Sequence, residues 1–443
     1  MKSAAPNLIE TNALQLTAAL LVAFALAFFV YYGIDTTRDP VFAIDFSPYY
    51  VAGQLLAEGR AAELIPLPTD GLMTSSSPPF VANFQRYFFP DSKSGTGWIY
   101  LPGYAWLFRP LAGLEFPVAA RLWLLINALL SAGAVALIAW ARPWPGDARY
   151  RRWRLAWIIF FGLTFQPVLD NMWHGNTSAL ILFVFCLSYL LLRRGRNGLA
   201  GLALGLIVML KFYPALIVLY FVWRRNWAYV AGALAGAAAL VGLSWLTVGT
   251  ENLLRYAGLL IAEMEAGGVA AFNNQSLTGF LLHALTQGNV NGWEDMTVPL
   301  FVTVLRYAAI LALVGAAVWV MRRRPEQVDA PDAAQDFDLT LIIGLMLIIA
   351  PATWYHYYVW LLLPVIIVFD SLWLRPTGQW RLAAFAVAYG LIVVQGISGV
   401  RAFAPQAIQD VWLLRVLLSS SFFGAVLLFG LTLRLRAGLR VRL

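Results

Sequence analysis

Apolar runs of close to twenty residues recur from one end of the chain to the other, and no other feature constrains its fold as tightly. A helix needs about 20 residues to cross a bilayer core, and backbone within lipid must satisfy its hydrogen bonds internally. Runs bounded by polar breaks fall near 14–32, 118–141, 155–169, 177–192, 198–211, 213–223, 227–248, 299–321, 339–351, 355–373, 382–399 and 412–433. They predict an all-α, polytopic integral membrane protein with about twelve transmembrane helices, residues 1–443 forming a single membrane domain. Only 12% of the residues are charged, against about 25% in soluble domains, which excludes a soluble globule. The first run has the acidic Glu10 before it and no small-residue cleavage site after it, so it is expected to stay as an anchor. A single cysteine, Cys186, excludes an internal disulfide.

A formal charge of +8 invites comparison with nucleic-acid binders, but its distribution says otherwise. With the N-terminus cytoplasmic, the basic segment 142–154, the clusters at 193–196, 224–225 and 322–324, and the tail arginines Arg434, Arg436, Arg440 and Arg442 all fall on the inner side. The longer outer loops hold only Arg38, Arg60, Arg86, Lys93, Arg109, Arg255 and Arg401. This is the positive-inside asymmetry of a plasma-membrane protein; the expected partner is the membrane and not nucleic acid. Residues 33–117 then form a first extracytoplasmic loop, within which 47–65 reads as an interfacial amphipathic helix. Residues 249–298 form a second, carrying the polar string Asn273-Asn274-Gln275-Ser276. On the inner side, 325–338 reads as a solvated acidic linker ending in Asp336-Phe337-Asp338, formally an Asp-x-Asp pair. The small-residue stretch 231–239 implies close helix packing.

Two apolar stretches are interrupted. Residues 198–223 are flanked by basic clusters at both ends and broken by Lys211-Phe212-Tyr213-Pro214; keeping both clusters inside requires two short helices with a turn between them. Residues 339–373 repeat the shape around Pro351-Ala352-Thr353-Trp354-Tyr355-His356-Tyr357, with Arg375 after them. Helices this short place each apex in a cavity below the outer surface, where one brings Lys211 and the other His356. Ionisable residues at such depth mark function by default. Asp45, in Ile44-Asp45-Phe46-Ser47-Pro48-Tyr49-Tyr50 just after the first run, is a carboxylate beside aromatics and thus a candidate general base. Asp170 and His174, four apart, read as a hydrogen-bonded loop between spans and not as a metal pair.

Asp45-Phe46-x-x-Tyr49-Tyr50, Tyr100-Leu101-Pro102, Lys211-x-x-Pro214, Asn274-Gln275-Ser276-Leu277-x-Gly279 and Pro351-x-x-Trp354-x-His356 occur in the order and topology of glycosyltransferase family 87, which the chain resembles from about 45 to 365. It departs from that pattern at Asn176, where Gln is expected, and at His283, where Arg is expected. The family includes polyprenol-phosphate-mannose-dependent alpha-mannosyltransferases, and the resemblance implies a GT-C-type membrane enzyme that moves a sugar, mannose as the expectation, from a polyprenyl-phosphate donor to a lipid or glycan acceptor at the outer face, with inversion. Asp45 is then the base; Lys211 and His356 are candidates for holding the donor phosphate, with His283 or Arg109 as helpers. Tyr49, Tyr100, Asn176, Asn274, Gln275 and Trp354 are candidate sugar or acceptor contacts. A lipid monophosphate needs little charge neutralisation, and the chain lacks a Gly-rich phosphate loop or Cys/His cluster, so neither metal nor cofactor is expected. Interrupted helices with intramembrane cations also suit a secondary transporter or a flippase of lipid-linked sugars, and an O-antigen-type ligase would share the outer face.

Overall fold

The computed structural model describes residues 8–65, 74–142, 148–265, 268–325, 330–374, 378–395, 409–439 and 441–442. Arg375, Arg401 and Arg440, assigned to loops above, lie outside them. Apolar α1 (Leu8–Thr36) is followed by α2 (Ser47–Ala57) and α3 (Pro78–Tyr87), then by α4 (Phe116–Ala141). The chain continues through α5 (Ala148–Thr164), α6 (Gln166–His174), α7 (Ser178–Arg193), α8 (Asn197–Val208), α9 (Ala215–Trp223) and α10 (Trp227–Glu265). Next come α11 (Leu277–Leu285), α12 (Leu300–Met321), α13 (Ala330–Ile349), α14 (Leu362–Leu374) and α15 (Gln379–Val394), then α16 (Trp412–Leu417) and α17 (Ser420–Ala437). Strand structure among the described residues is confined to two-residue antiparallel pairings such as Thr74–Ser75 with Gly95–Thr96.

Seven helical segments among the described residues are long and apolar enough to cross a membrane, and α7, α8 and α15 are shorter apolar helices. The remaining two of the twelve expected runs correspond to α9 and the apolar part of α13. Burial sorts the rods. Of the apolar window in Tyr355–Trp373, 83% is buried inside the protein, against 11% of Leu300–Met321. Thus α13 and α14 form the centre of the bundle, while α12 and α1 turn leucines and phenylalanines outward as a lipid-facing surface does. Both interruptions lie where the polar breaks placed them: α8 ends at Val208 and α9 starts at Ala215, and α13 ends at Ile349 ahead of a 3-10 segment, Tyr355–Leu361. The small-residue stretch packs as read. Gly201 and Gly205 of α8 face Gly232 and Gly236 of α10 so closely that a Cβ on any of them would strike the opposing backbone.

Three local expectations change. The 47–65 segment is a helix only to Ala57, and Tyr49, Tyr50, Val51, Ala52 and Leu55 are all buried. Rings from Phe46, Phe108, Phe116 and Trp98 surround it, so it packs into protein and does not float at an interface. Asp170 and His174 lie on a helix and not in a loop, because Phe165 breaks the rod and Pro167, at the first turn of α6, starts a new one. The end of the acidic linker is not solvated: Asp336 and Asp338 are buried on α13. Asp336 accepts from Arg142 Nη1 (2.9 Å) and Tyr189 OH (2.7 Å), and Asp338 from Arg436 Nε (2.8 Å), Tyr220 OH (3.1 Å) and Arg224. Asp370 on α14 binds Arg142 Nε (2.9 Å) and Arg154 Nη2 (2.7 Å). The Asp-x-Asp pair is thus committed to arginines at one end of the bundle, a stable arrangement for buried carboxylates. The hairpins turn at the opposite end.

Candidate active site

At that opposite end the chain leaving α1 is forced into a sharp turn. Ala43 takes a left-handed conformation (φ 62°) and its N–H donates to the Trp173 carbonyl at 2.9 Å. This staples the Ile44–Phe46 turn to the C-terminus of α6. There Gly175 (φ 68°) caps the helix, and a Cβ on it would press on Phe46 and Ala43. Trp123 of α4 donates to the Gly175 carbonyl at 2.8 Å and stacks its ring on Phe46. The turn therefore projects Asp45 across the end of α6. Its Oδ2 accepts from Asn176 Nδ2 at 3.1 Å, and Asn176 Oδ1 accepts in turn from Ser178 Oγ at 3.0 Å. Burial pushes the Asp45 carboxyl above its ordinary range; the nearby His174 and the Asn176 hydrogen bond oppose that shift.

His174 is oriented from behind. Its Nδ1 lies 2.9 Å from the Asp170 carbonyl oxygen and 3.2 Å from the Asp170 carboxylate, so Nδ1 carries the proton and donates. The His356 ring sits 5.3 Å from it, centre to centre, on the apex between α13 and α14. That apex is strapped in place by the 274–276 segment. Gln275 N–H donates to the Thr353 carbonyl (2.7 Å), Thr353 N–H to Asn274 Oδ1 (3.1 Å), and Tyr358 OH to the Gln275 carbonyl (2.7 Å). Lys211, from the other apex, is buried with its Nζ 3.0 Å above the centre of the Tyr357 ring, a cation–π contact, and has no hydrogen-bond partner among the described residues.

These elements enclose a cavity of about 480 Å³, within the usual range for small-molecule sites. Of the residues singled out in the sequence, Asp45, Tyr49, Tyr100, Asn176, Trp354 and His356 line it. Tyr49 and Tyr100 are joined through their hydroxyls at 2.9 Å. Lys211 lies beneath Tyr357, which forms part of the wall. Four others are elsewhere. Arg109 is exposed and stacks on Trp106. His283 is buried away from the cavity, bonded to Ser419 Oγ (2.9 Å) and the Ala270 carbonyl (3.0 Å). Burial pushes its imidazole down to about 4, leaving it uncharged at neutral pH. Asn274 and Gln275 are fully buried and spend their amides on backbone groups. Sequence reasoning missed His174, Trp173, Tyr357, Asn273 and Trp293, which also line the cavity. The signal for His174 was present: a histidine beside Gly175-Asn176 at the end of an apolar run. One nitrogen or oxygen from each of Asp45, His174 and His356 lies within 4.8 Å of the others, close enough to share an ion or a phosphate.

The family model described as glycosyltransferase family 87 matches residues 98–351, more than half of the chain. The chain belongs to glycosyltransferase family 87. Among family relatives, it is 30% identical over 266 residues to a polyprenol-phosphate-mannose-dependent alpha-(1-2)-phosphatidylinositol pentamannoside mannosyltransferase of Mycolicibacterium smegmatis, covering 59% of this chain and 58% of that one. A polyprenol-phosphate-mannose-dependent alpha-(1-2)-phosphatidylinositol mannoside mannosyltransferase of Mycobacterium tuberculosis is 27% identical, with 61% of each chain covered. Its counterpart in Mycolicibacterium smegmatis is 26% identical over 365 residues, 80% of this chain and 75% of the other. The match thus spans about three fifths of the first two relatives' length. No solved structure is significantly similar to the chain.

Proposed function

We propose that this protein is an inverting glycosyltransferase that moves mannose from a polyprenyl-phosphate donor to a hydroxyl of a lipid or glycan acceptor. Membership of the family supports the reaction class, and the observation that carries the mechanism is the convergence of Asp45 and His356 on one cavity. The acceptor hydroxyl attacks the anomeric carbon while its proton passes to the Asp45 carboxylate. The bond from that carbon to the phosphate oxygen breaks on the opposite face, and polyprenyl phosphate departs with the electron pair. His356 meets the charge developing on the phosphate, and Lys211 packs behind the Tyr357 ring that forms part of the same wall. Tyr49, Tyr100, Asn176 and Trp354 offer hydroxyl, amide and ring surfaces to the sugar.

In this reading the twelve apolar runs lie in the plasma membrane, the short ones of the interrupted hairpins turning back below the outer surface, and the cavity opens on the extracytoplasmic side, opposite the arginine-rich end. The centre of the bundle favours an enzyme over a transporter, since buried α13 and α14 and the Asp336, Asp338 and Asp370 ion pairs fill the path from the cavity to the other end. The test is incubation of purified protein with radiolabelled polyprenyl-phosphate-mannose and a membrane-lipid extract. Label should move to a new lipid product, and Asp45→Asn should lower turnover about 10²–10⁴-fold while donor still binds. Full turnover by the Asp45→Asn protein would remove Asp45 as the base; no transfer by the unaltered protein would remove the reaction.

A further inference from the structure

We infer that Asp45, His174 and His356 bind one divalent transition-metal cation of the zinc type at the wall of this cavity. Two imidazoles and one carboxylate are the ligand set zinc takes in sites that keep a position open for a reactant. The three ligand atoms lie within 4.8 Å of one another, whereas a tetrahedral zinc would bring them to about 3.3 Å apart. The three elements that supply them are already pinned: Ala43 N–H to the Trp173 carbonyl fixes the Asp45 turn to α6, and Gln275 N–H to the Thr353 carbonyl fixes the apex bearing His356.

The surroundings have the form of a metal site's outer shell. Because Nδ1 of His174 donates to the Asp170 carbonyl, with the Asp170 carboxylate at 3.2 Å, the ring presents Nε2 as its ligand atom. A backbone carbonyl that accepts from the far ring nitrogen is one of the outer partners that orient a ligating imidazole and fix its tautomer. Asp45 is held in the same way by Asn176. Asp45, His174 and His356 all line the cavity, so a cation they hold would be in reach of an oxygen of a phosphate placed there. Only that last role rests on the transfer reaction. Asp45 can ligate through one oxygen and accept a proton on the other, with some loss of basicity. The site reverses the expectation, drawn from a monophosphate donor, that no metal is needed.

The test is direct metal analysis of purified, detergent-solubilised full chain, stripped with chelator and dialysed against micromolar Zn²⁺ or Co²⁺. One cation per chain should bind, with Co²⁺ giving the visible absorption of nitrogen and oxygen ligation. His174→Ala and His356→Ala should each lose stoichiometric binding. Asp170→Asn, which keeps all three ligands and the backbone carbonyl that orients His174, should still bind one cation per chain. Unaltered protein that binds no cation, or a His174→Ala protein that binds as before, overturns the site; in that event the two imidazoles meet phosphate directly. Stripped protein that regains Co²⁺ absorption but transfers no mannose leaves the metal site standing and refutes the reaction. Stripped protein that transfers at full rate and binds no cation does the reverse.

Discussion

Asn274 and Gln275 separate what a residue type suggests from what its position makes it do. Amides suit sugar hydroxyls, yet Asn274 donates to the Val269 carbonyl and accepts from Ser276 and Thr353, and Gln275 spans from Phe272 to Leu418, Ser421 and Phe422. Removing either side chain strands several buried backbone groups, at about 1–3 kcal/mol for each group left unsatisfied. Asn274→Ala should therefore lower the unfolding midpoint in detergent and leave the donor KM of the folded fraction unchanged. A raised KM at an unaltered midpoint would restore the sugar-contact role. His174 was read only as part of a hydrogen-bonded loop, for the converse reason. Its chemistry is visible in the sequence, but its neighbours Asp45 and His356 come from distant parts of the chain, and only the tertiary fold brings their rings and oxygens together. Arg109 and His283 show the same limit: a cation's charge is legible, the direction of its side chain is not.

Among elements, the interrupted hairpins were the most legible, since a polar break between two basic clusters can be satisfied only by turning back. The contact between α8 and α10 was legible as a tendency, because small residues four apart permit close approach. Which glycines make that approach is a property of the packed pair. Gly232 meets the Gly198 carbonyl, while Gly242 on the same helix α10 has open space around it. Gly232→Ala should destabilise by about 1–3 kcal/mol through overpacking, while Gly242→Ala should be neutral or stabilise by up to about 1 kcal/mol through helix propensity. Thermal unfolding of the two proteins side by side checks this; equal midpoints would dissolve the close-contact argument. Helix α2 was misread because its apolar positions were assumed to face lipid, whereas aromatic residues from three other segments cover them.

For the whole molecule, the prediction concerns orientation. The arginines meet Asp336, Asp338 and Asp370 at one end, and Asp45, His174 and His356 gather where the hairpins turn. If the basic end is cytoplasmic, a membrane-impermeant maleimide added to intact cells should label Asn291→Cys but not Arg196→Cys, both in a Cys186→Ala background. The reverse pattern would put the cavity inside. The sequence by itself determined the membrane class, the helical content, the two interruptions and the basic end, because transfer of apolar runs and placement of charge are local and nearly additive along a chain. The tertiary structure alone decided which polar groups line the cavity and which hold the backbone. A buried amide, imidazole or carboxylate takes its role from the partners within hydrogen-bond reach, and several of these, such as Asn176 for Asp45, Leu418 for Gln275 and Ser419 for His283, lie more than a hundred residues away.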